Sequence, residues 1–301
     1  MQRPDLSPAT TNLLVKVSMA VLFVSITAGV AHAQADFDEF VCFGDSLTDN
    51  GILAVINDKP SALYGADPME ALFLKGASPG DTLSRFATAG SPSSSLDNQI
   101  GFYEFLVGLG TQGEATLISL QSGANDLLDN VALLANNAPR ASTAADAVID
   151  TIANNLKDAF LRLRGSAAPG AEFIVWTLPD LSLTPRFFGT LTGTQIANLR
   201  GHIERVNRRI RRAESRARVA VLDLESLLAG IVSAPPTLRG VTLLPPPAFC
   251  DFHHLFADDI HPTAVSNALL ANATADAAEM NFGGTIGRYL EDELADLAQI
   301  P

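Results

Sequence analysis

Short apolar segments alternate with longer segments of helical periodicity along most of this chain, and that alternation restricts the possible folds more than any other feature. Each short segment is apolar on successive residues and bounded by Gly, Pro or Asp, which predicts strands buried on both faces. The four segments are Phe40–Phe43, Ala115–Leu120, Phe173–Leu178 and Val219–Leu222. Strands of this kind are typical of parallel sheets covered by helices.

Three longer segments lie between or beside these strands and repeat large apolar residues at helical spacing. They span residues 96–106, 148–163 and 196–210, the second after a Thr143-x-x-Asp146 start signal. Alternating strands and helices imply βαβ units. We therefore predict the α/β class, as a three-layer α/β/α sandwich with a mainly parallel, flavodoxin-like sheet.

Residues 52–95 show no clear periodicity and are rich in Gly, Pro and Ser. We expect long loops in this segment, with one weak strand near Leu83–Ala89. No linker divides the chain, so residues 34–301 are predicted to form one domain.

The first 33 residues have the pattern of a secretory signal peptide. Two basic residues precede the uncharged run Val17–Ala31, and Ala31-His32-Ala33 matches the pattern that signal peptidase cleaves. The run has 15 residues, which is fewer than the roughly 20 of a membrane span. We expect cleavage near Gln34, export to the periplasm or the medium, and no stable membrane span in the mature chain.

Composition argues against two classes of protein, disordered chains and nucleic-acid binders. A hydrophobic content of 47% is too high for a disordered chain, and a net charge of −13 disfavours nucleic acid as a partner. Export would permit a disulfide between Cys42 and Cys250, the only two cysteines. Because Cys42 lies in the first predicted strand, a small buried core residue is the alternative, and the pairing stays open.

The third predicted helix and the residues after it are rich in arginine. Glu204 and Glu214 interrupt the positive charge, so we expect a solvated face, and we expect His202 at the surface. The arginines are Arg200, Arg205, Arg208, Arg209, Arg211, Arg212 and Arg216.

A serine follows the first predicted strand, in the segment GDSLTD at residues 44–49. Ser46 could present its Oγ at the carboxyl edge of the sheet, where it becomes a nucleophile if a base lies in reach. Thr48 stands where a G-x-S-x-G elbow has its second glycine. A serine turn or helix cap is the alternative for this segment.

His261 is the best candidate for the base. It lies in the segment ADDIHPT at residues 257–263, just before an Ala-rich predicted helix. Asp258 is three residues earlier, so across a turn it could hold one imidazole nitrogen while the other faces Ser46. The two-residue spacing of Asp259 points its carboxylate away. A capping Asp beside a surface His is the alternative.

Asn125 lies in the segment QSGAND at residues 121–126, which follows the predicted strand ending at Leu120. At the carboxyl edge of the sheet its amide could donate to a developing oxyanion near Ser46. An Asn-Asp turn is the alternative. A metal site is a further possibility, because His253, His254, Asp258, Asp259 and His261 crowd nine residues.

Together the segments GDSLTDNG, GAND and DDIHPT resemble those of the GDSL-type lipase and acylhydrolase family, also called SGNH hydrolases. The loop at residues 178–185 is also similar to a loop of that family, and the resemblance runs from about residue 38 to about residue 280. It implies a Ser46 nucleophile, a His261 base and an Asp258 partner. It also implies an oxyanion hole made of the Ser46 backbone N–H, a glycine N–H and the Asn125 side chain.

The glycine segment departs from the family pattern. Arg85 and Phe86 occupy the glycine pair of the usual Gly-Gly-Ala-Thr-like segment, and the preceding Gly-Arg-Phe-Ser-Asn-Gly run is missing. Either Gly90 supplies the N–H in a shifted register, or the Phe86 backbone does. We expect Gly90, because a flexible Ala-Gly-Ser turn can aim an N–H at Ser46 more easily.

The resemblance thus implies an exported serine esterase or lipase that hydrolyses carboxylic esters through an acyl-enzyme. Its substrate would be a small-molecule or lipid ester, and it would need neither a metal nor an organic cofactor. The unusual glycine segment favours one alternative: a non-catalytic or weakly active surface or binding module on a decayed hydrolase fold.

Overall fold

Five parallel strands form the central sheet of the computed structural model, which describes residues 35–49 and 51–301. The strand order is β2-β1-β3-β4-β5, and every pairing is parallel. This is the flavodoxin-like order, so the predicted fold class is confirmed. The predicted signal peptide lies outside the described residues. The strands are β1 (Glu39–Phe43), β2 (Thr82–Arg85), β3 (Leu117–Leu120), β4 (Glu172–Trp176) and β5 (Val219–Leu222).

Helices follow or precede each strand, and a small antiparallel pair, β6 (Thr237–Leu238) and β7 (Val241–Thr242), lies outside the main sheet. The helices are α1 (Leu53–Ile56), α2 (Ser61–Tyr64), α3 (Pro68–Gly76), α4 (Leu96–Gly108), α5 (Ala124–Asp129), α6 (Val131–Asn136), α7 (Thr143–Ser166), α8 (Gly193–Arg211), α9 (Leu224–Ser233), α10 (Ala264–Phe282) and α11 (Glu291–Leu297).

Alternate residues of each strand face opposite helical layers. Val41 and Phe43 of β1 pack into one core with α4, α7 and α8, whereas Phe40 and Cys42 pack into a second core with α3 and α10. All four side chains are fully buried. Both faces of the sheet are therefore covered, which is why its strands are continuously apolar in sequence.

The expectation of long loops at residues 52–95 is wrong. This segment contains α1, α2, α3, β2 and a 3-10 turn at Ser93–Ser95. The helices α1 and α2 have four residues each, which is too few for periodicity to appear. At α3, the Asp67 side chain accepts hydrogen bonds from the N–H groups of Met69 and Glu70, and Pro68 fills the first helical position.

His202 is buried, which corrects its expected surface position. It lies on the apolar face of α8 with Leu199 and Ile203, and its Nε2 lies 2.9 Å from the carbonyl oxygen of Asn137. Burial lowers the pKa of His202. Five of the seven arginines form ion pairs with carboxylates, in agreement with a solvated, charge-paired face.

Cys42 and Cys250 are both free thiols, and Cys42 is enclosed in β1. Burial raises the pKa of the Cys42 thiol well above its usual value. Within residues 35–49 and 51–301, no helix combines the length and the apolar character that a membrane crossing requires.

Candidate active site

Ser46 lies in a tight turn directly after β1. The turn is closed by hydrogen bonds from the Thr48 N–H to the Asp45 carbonyl, at 3.1 Å, and from the Leu47 N–H to Asp45 Oδ1, also at 3.1 Å. Gly44 begins the turn with φ +147°, and a Cβ there would lie 1.9 Å from the Gln121 carbonyl oxygen. Only glycine fits this position, which brings the backbones after β1 and β3 together.

His261 joins Ser46 to Asp258 through its two ring nitrogens. The Ser46 Oγ lies 2.8 Å from His261 Nε2, and Asp258 Oδ2 lies 2.7 Å from His261 Nδ1. A proton on Nδ1 donates to the carboxylate, which leaves Nε2 to accept the serine hydroxyl proton. The three residues that sequence analysis selected are thus brought together in one hydrogen-bonded chain.

Five donors surround the Asp258 carboxylate. Its Oδ1 accepts the backbone N–H groups of Ile260, at 2.8 Å, and His261, at 2.6 Å. Its Oδ2 accepts the Tyr64 hydroxyl and the Asn57 amide, both at 2.9 Å, besides the His261 ring. Burial alone would raise the pKa of Asp258, but the hydrogen bond and charge of the His261 ring and the N–H groups of His261 and Ile260 lower it to about 2.

Sequence analysis missed Tyr64 and Asn57. Asn57 directly follows α1, and Tyr64 is the last residue of α2, which places both about 200 residues before Asp258 in the chain. Burial and then the neighbouring Asp258 carboxylate raise the pKa of Tyr64 well above its usual value. Neither residue belongs to a local motif, so only the folded arrangement of the loops identifies them.

Asp45, the neighbour of Ser46, is a second buried carboxylate beside the site. It accepts hydrogen bonds from the Leu47 N–H and from Gln121 Nε2, the latter at 3.1 Å. Burial raises the pKa of Asp45 to about 6, against the opposing effects of these two donors and of His261. A carboxyl group next to Ser46 therefore changes its charge in mildly acidic solution.

The two oxyanion-hole candidates line the same cavity as Ser46. Asn125 lies in the first turn of α5, and its Nδ2 donates to the Ser91 carbonyl at 3.0 Å. An amide has two N–H groups, so one remains for a ligand. Gly90 has φ +77°, and a Cβ there would meet open space. By contrast, the Phe86 N–H is engaged by the Cys42 carbonyl at 2.8 Å.

A polar network that was not predicted fixes the Gly90 loop to the Ser46 turn. The Gln99 side chain accepts the Gly44 N–H at 2.9 Å and donates to the Gly44 carbonyl at 2.8 Å. The Ser91 hydroxyl donates to the same carbonyl at 3.0 Å. The Asp126 carboxylate accepts the Ser93 N–H at 2.7 Å. The motif residue beside Asn125 thus holds the loop that carries Gly90.

The residues considered for a metal site do not converge. The Asp259 carboxylate is held by Arg186 in a two-point ion pair, with both distances 2.9 Å. His253 lies 3.8 Å from Asp251 instead. Over the described part of the chain, no group of three or more His, Cys, Asp or Glu side chains is arranged around a common metal position.

A cavity of about 290 Å³ opens beside Ser46 and His261. Besides these two residues, its polar lining comprises Asp45, Asn57, Asn125, Thr184, Arg186 and Ser266, and most of its other lining residues are aliphatic or aromatic. The apolar wall includes Leu128, Leu181, Leu228, Ile231, Phe256 and Leu270. A mainly apolar wall beside Ser46 suits an apolar group attached to the atoms that Ser46 would attack.

The model of the GDSL-like lipase/acylhydrolase family matches residues 40–274. The chain belongs to that family. It is therefore a hydrolase of the GDSL esterase/lipase type, acting on esters.

Solved structures share the fold of this GDSL-type hydrolase at low sequence identity. A lipase from a goat rumen metagenome has 14% identity and a TM-score of 0.53, covering 79% of this chain and 96% of its own. A catalytic mutant of an acetylxylan esterase from Geobacillus stearothermophilus has 15% identity and a TM-score of 0.51, covering 84% and 97%. No curated protein sequence matches this GDSL-type chain.

Proposed function

We propose that this protein is an exported serine esterase whose nucleophile is Ser46. The observation that carries the proposal is the hydrogen-bonded chain from Asp258 through His261 to Ser46, beside a mainly apolar cavity. His261 Nε2 takes the hydroxyl proton while Ser46 Oγ attacks the ester carbonyl carbon. Asp258 holds the ring and stabilises the imidazolium that forms.

The tetrahedral intermediate then breaks its bond to the alcohol oxygen, which takes the proton from His261. Water attacks the acyl-enzyme in the same way, with His261 accepting its proton and returning it to Ser46. The Ser46 N–H, the Gly90 N–H and the Asn125 side chain would stabilise the oxyanion. The engaged Phe86 N–H favours Gly90 over the alternative register.

The cavity wall favours an ester with an apolar acyl group over an acetyl ester of a polar carbohydrate. Each methylene buried there contributes about 0.8 kcal/mol, or roughly fourfold in affinity. A panel of soluble p-nitrophenyl esters of graded chain length should show kcat/KM rising from the acetyl to longer acyl groups. A preference for acetyl esters would contradict this assignment of the cavity.

Ser46→Ala tests the nucleophile, with fluorophosphonate labelling as a second readout. We expect loss of hydrolysis and of labelling with an unchanged circular dichroism spectrum, because the side chain is small and the turn is held by its backbone. Asp259→Asn is the control, since that carboxylate faces Arg186. Hydrolysis by Ser46→Ala within tenfold of wild type would disprove the nucleophile. Absence of both activities in the wild type would favour the non-catalytic module.

Export rests on the signal-peptide pattern of residues 1–33. Expression of the full chain in a bacterial host should yield periplasmic or secreted protein whose first residue is near Gln34. Amino-terminal sequencing of the processed protein would test this, and retention of an intact amino terminus in the cytoplasm would contradict it.

A further inference from the structure

The helix α1 and the residue before it expose three large apolar side chains at the edge of the active site. The exposed fractions are 49% for Ile52, 80% for Val55 and 63% for Ile56. Single exposed apolar residues are common on proteins, but three within five positions form a continuous patch. We refer to Ile52, Val55 and Ile56 as the α1 patch.

The α1 patch is continuous with the cavity beside Ser46. Leu53, on the same helix, is buried, and both Leu53 and Ile56 line the cavity wall. The next residue, Asn57, donates to Asp258. One short helix therefore has an apolar outer surface, contributes to the wall of the cavity and leads directly into the hydrogen bonds of the candidate catalytic residues.

We propose that the α1 patch docks onto the surface of an aggregated, uncharged or zwitterionic lipid ester, such as an emulsion droplet. The proposal rests on the proposed esterase function and specifies the physical state of its substrate. An acyl chain in such an aggregate could pass from the lipid phase along Ile56 into the cavity. The patch and the cavity would then bury one continuous apolar surface.

Charge argues for a lipid surface without net negative charge. The chain carries a net charge of −13, so an anionic membrane would repel it at low ionic strength. Lys59 is the nearest basic residue in sequence to the α1 patch, and Asp58 precedes it. Adsorption would therefore depend on apolar burial and would weaken when anionic lipid is added.

Adsorption can be measured separately from hydrolysis in the Ser46→Ala variant. We expect this variant to float with the droplets when a triolein emulsion stabilised by phosphatidylcholine is centrifuged. Adding Ile52→Ser and Val55→Ser should weaken its binding about tenfold, since two exposed aliphatic side chains lose their contact with lipid. Met280→Ser is the matched control, because Met280 is also 80% exposed. It lies about 24 Å along α10 from Ala264, at 1.5 Å per residue, away from the site.

Catalysis provides the second measurement. With Ser46 present, the double variant Ile52→Ser/Val55→Ser should lose about tenfold of its activity on emulsified triolein. Its kcat/KM on soluble p-nitrophenyl butyrate should stay within twofold, because neither side chain lines the cavity.

Three results have separate meanings. Equal adsorption of the double variant and the Met280→Ser variant would overturn the proposal. A second result would also overturn it: the wild type does not adsorb to lipid and sediments as a dimer, whereas the double variant sediments as a monomer. In that case a second copy of the chain would cover the patch. Patch-dependent adsorption without hydrolysis of any ester would support the docking surface and reject the esterase function.

Discussion

Two buried carboxylates flank Ser46 and His261, and they differ in the pH at which they lose their charge. Asp45 and Asp258 are both almost inaccessible, yet the pKa is about 6 for Asp45 and about 2 for Asp258. Burial raises both pKa values; it prevails at Asp45 and is outweighed at Asp258. The Asp258 carboxylate accepts five hydrogen bonds and Asp45 two from described residues. The hydrogen bond and the charge of the His261 ring lower the pKa of Asp258 most, followed by the N–H groups of His261 and Ile260, so Asp258 keeps its charge at a lower pH than Asp45.

This difference divides the site into two regions. The loop around Asp258 holds a permanent negative charge against His261, as stabilisation of an imidazolium requires. The turn around Asp45 holds a group whose charge changes in mild acid. Substitutions in each region should consequently affect different properties: catalysis in the first and the pH dependence of stability in the second.

The largest expected effect comes from replacing the permanent charge. Asp258→Asn should lower kcat by about 10⁴-fold, because a neutral amide neither fixes the imidazole tautomer nor stabilises the imidazolium. Asp259→Asn should stay within a few-fold of wild type, since Asp259 pairs with Arg186 outside the chain of hydrogen bonds. Steady-state kinetics on a soluble ester measure both. Equal losses in the two variants would remove the distinction between these neighbouring carboxylates.

The second effect concerns Asp45 and appears in stability. Because its pKa is raised from 3.8 to about 6 on folding, the folded state binds a proton more tightly than the unfolded state. The free energy of unfolding should therefore fall by about 2 kcal/mol as pH rises from about 4 to above 6. Asp45→Asn should remove this fall, since an amide does not titrate. Its new N–H₂ could donate to Gln121 Oε1, which accepts no hydrogen bond from the described residues.

Guanidinium unfolding at pH 4, 5, 6 and 7 would test the Asp45 prediction. Asp129→Asn, on the exposed side of α5, is the control and should keep the wild-type pH dependence. The contribution of Asp258 to stability changes with pH in the opposite direction. Its pKa is lowered, so its contribution to stability is present above pH 4 and is lost as pH falls towards 2. If the free energy of unfolding of the wild type did not change from pH 4 to pH 7, the predicted difference between Asp45 and Asp258 would be contradicted.

Sequence analysis predicted the strands and helices whose pattern of apolar residues lies within one short segment of the chain. The strands at 40–43 and 219–222 and the helix that became α7 were visible because buried elements repeat apolar residues with a fixed period. The short helices α1 and α2 were missed because four residues cannot show a period of 3.6. His202 was misplaced because an arginine-rich segment suggested exposure, whereas the position of the residue on the helix face decides burial.

The residues of the candidate site likewise fall into those that the sequence predicts and those that it does not. Ser46, Asp258 and His261 are found in short motifs, so the sequence could place them. Gln99 and Tyr64 were missed, because each acts on a motif residue that is remote in the chain. Their contacts depend on how loops fold against one another, and no local pattern encodes that arrangement.

The smallest expected effect comes from removing the Tyr64 hydroxyl, one of the five donors to the Asp258 carboxylate. Tyr64→Phe removes one of them without opening a cavity, and we expect kcat/KM to fall about tenfold. With one donor fewer, the Asp258 carboxylate is held less firmly against the His261 ring, so the loss should appear in kcat with little change in KM. Tyr103→Phe is the matched control, because Tyr103 is equally buried and its hydroxyl accepts the Ala115 N–H, away from the site. A loss of stability in Tyr64→Phe with unchanged kcat would mean that Tyr64 has a purely structural role, and that His261 and the two backbone N–H groups alone hold the Asp258 carboxylate.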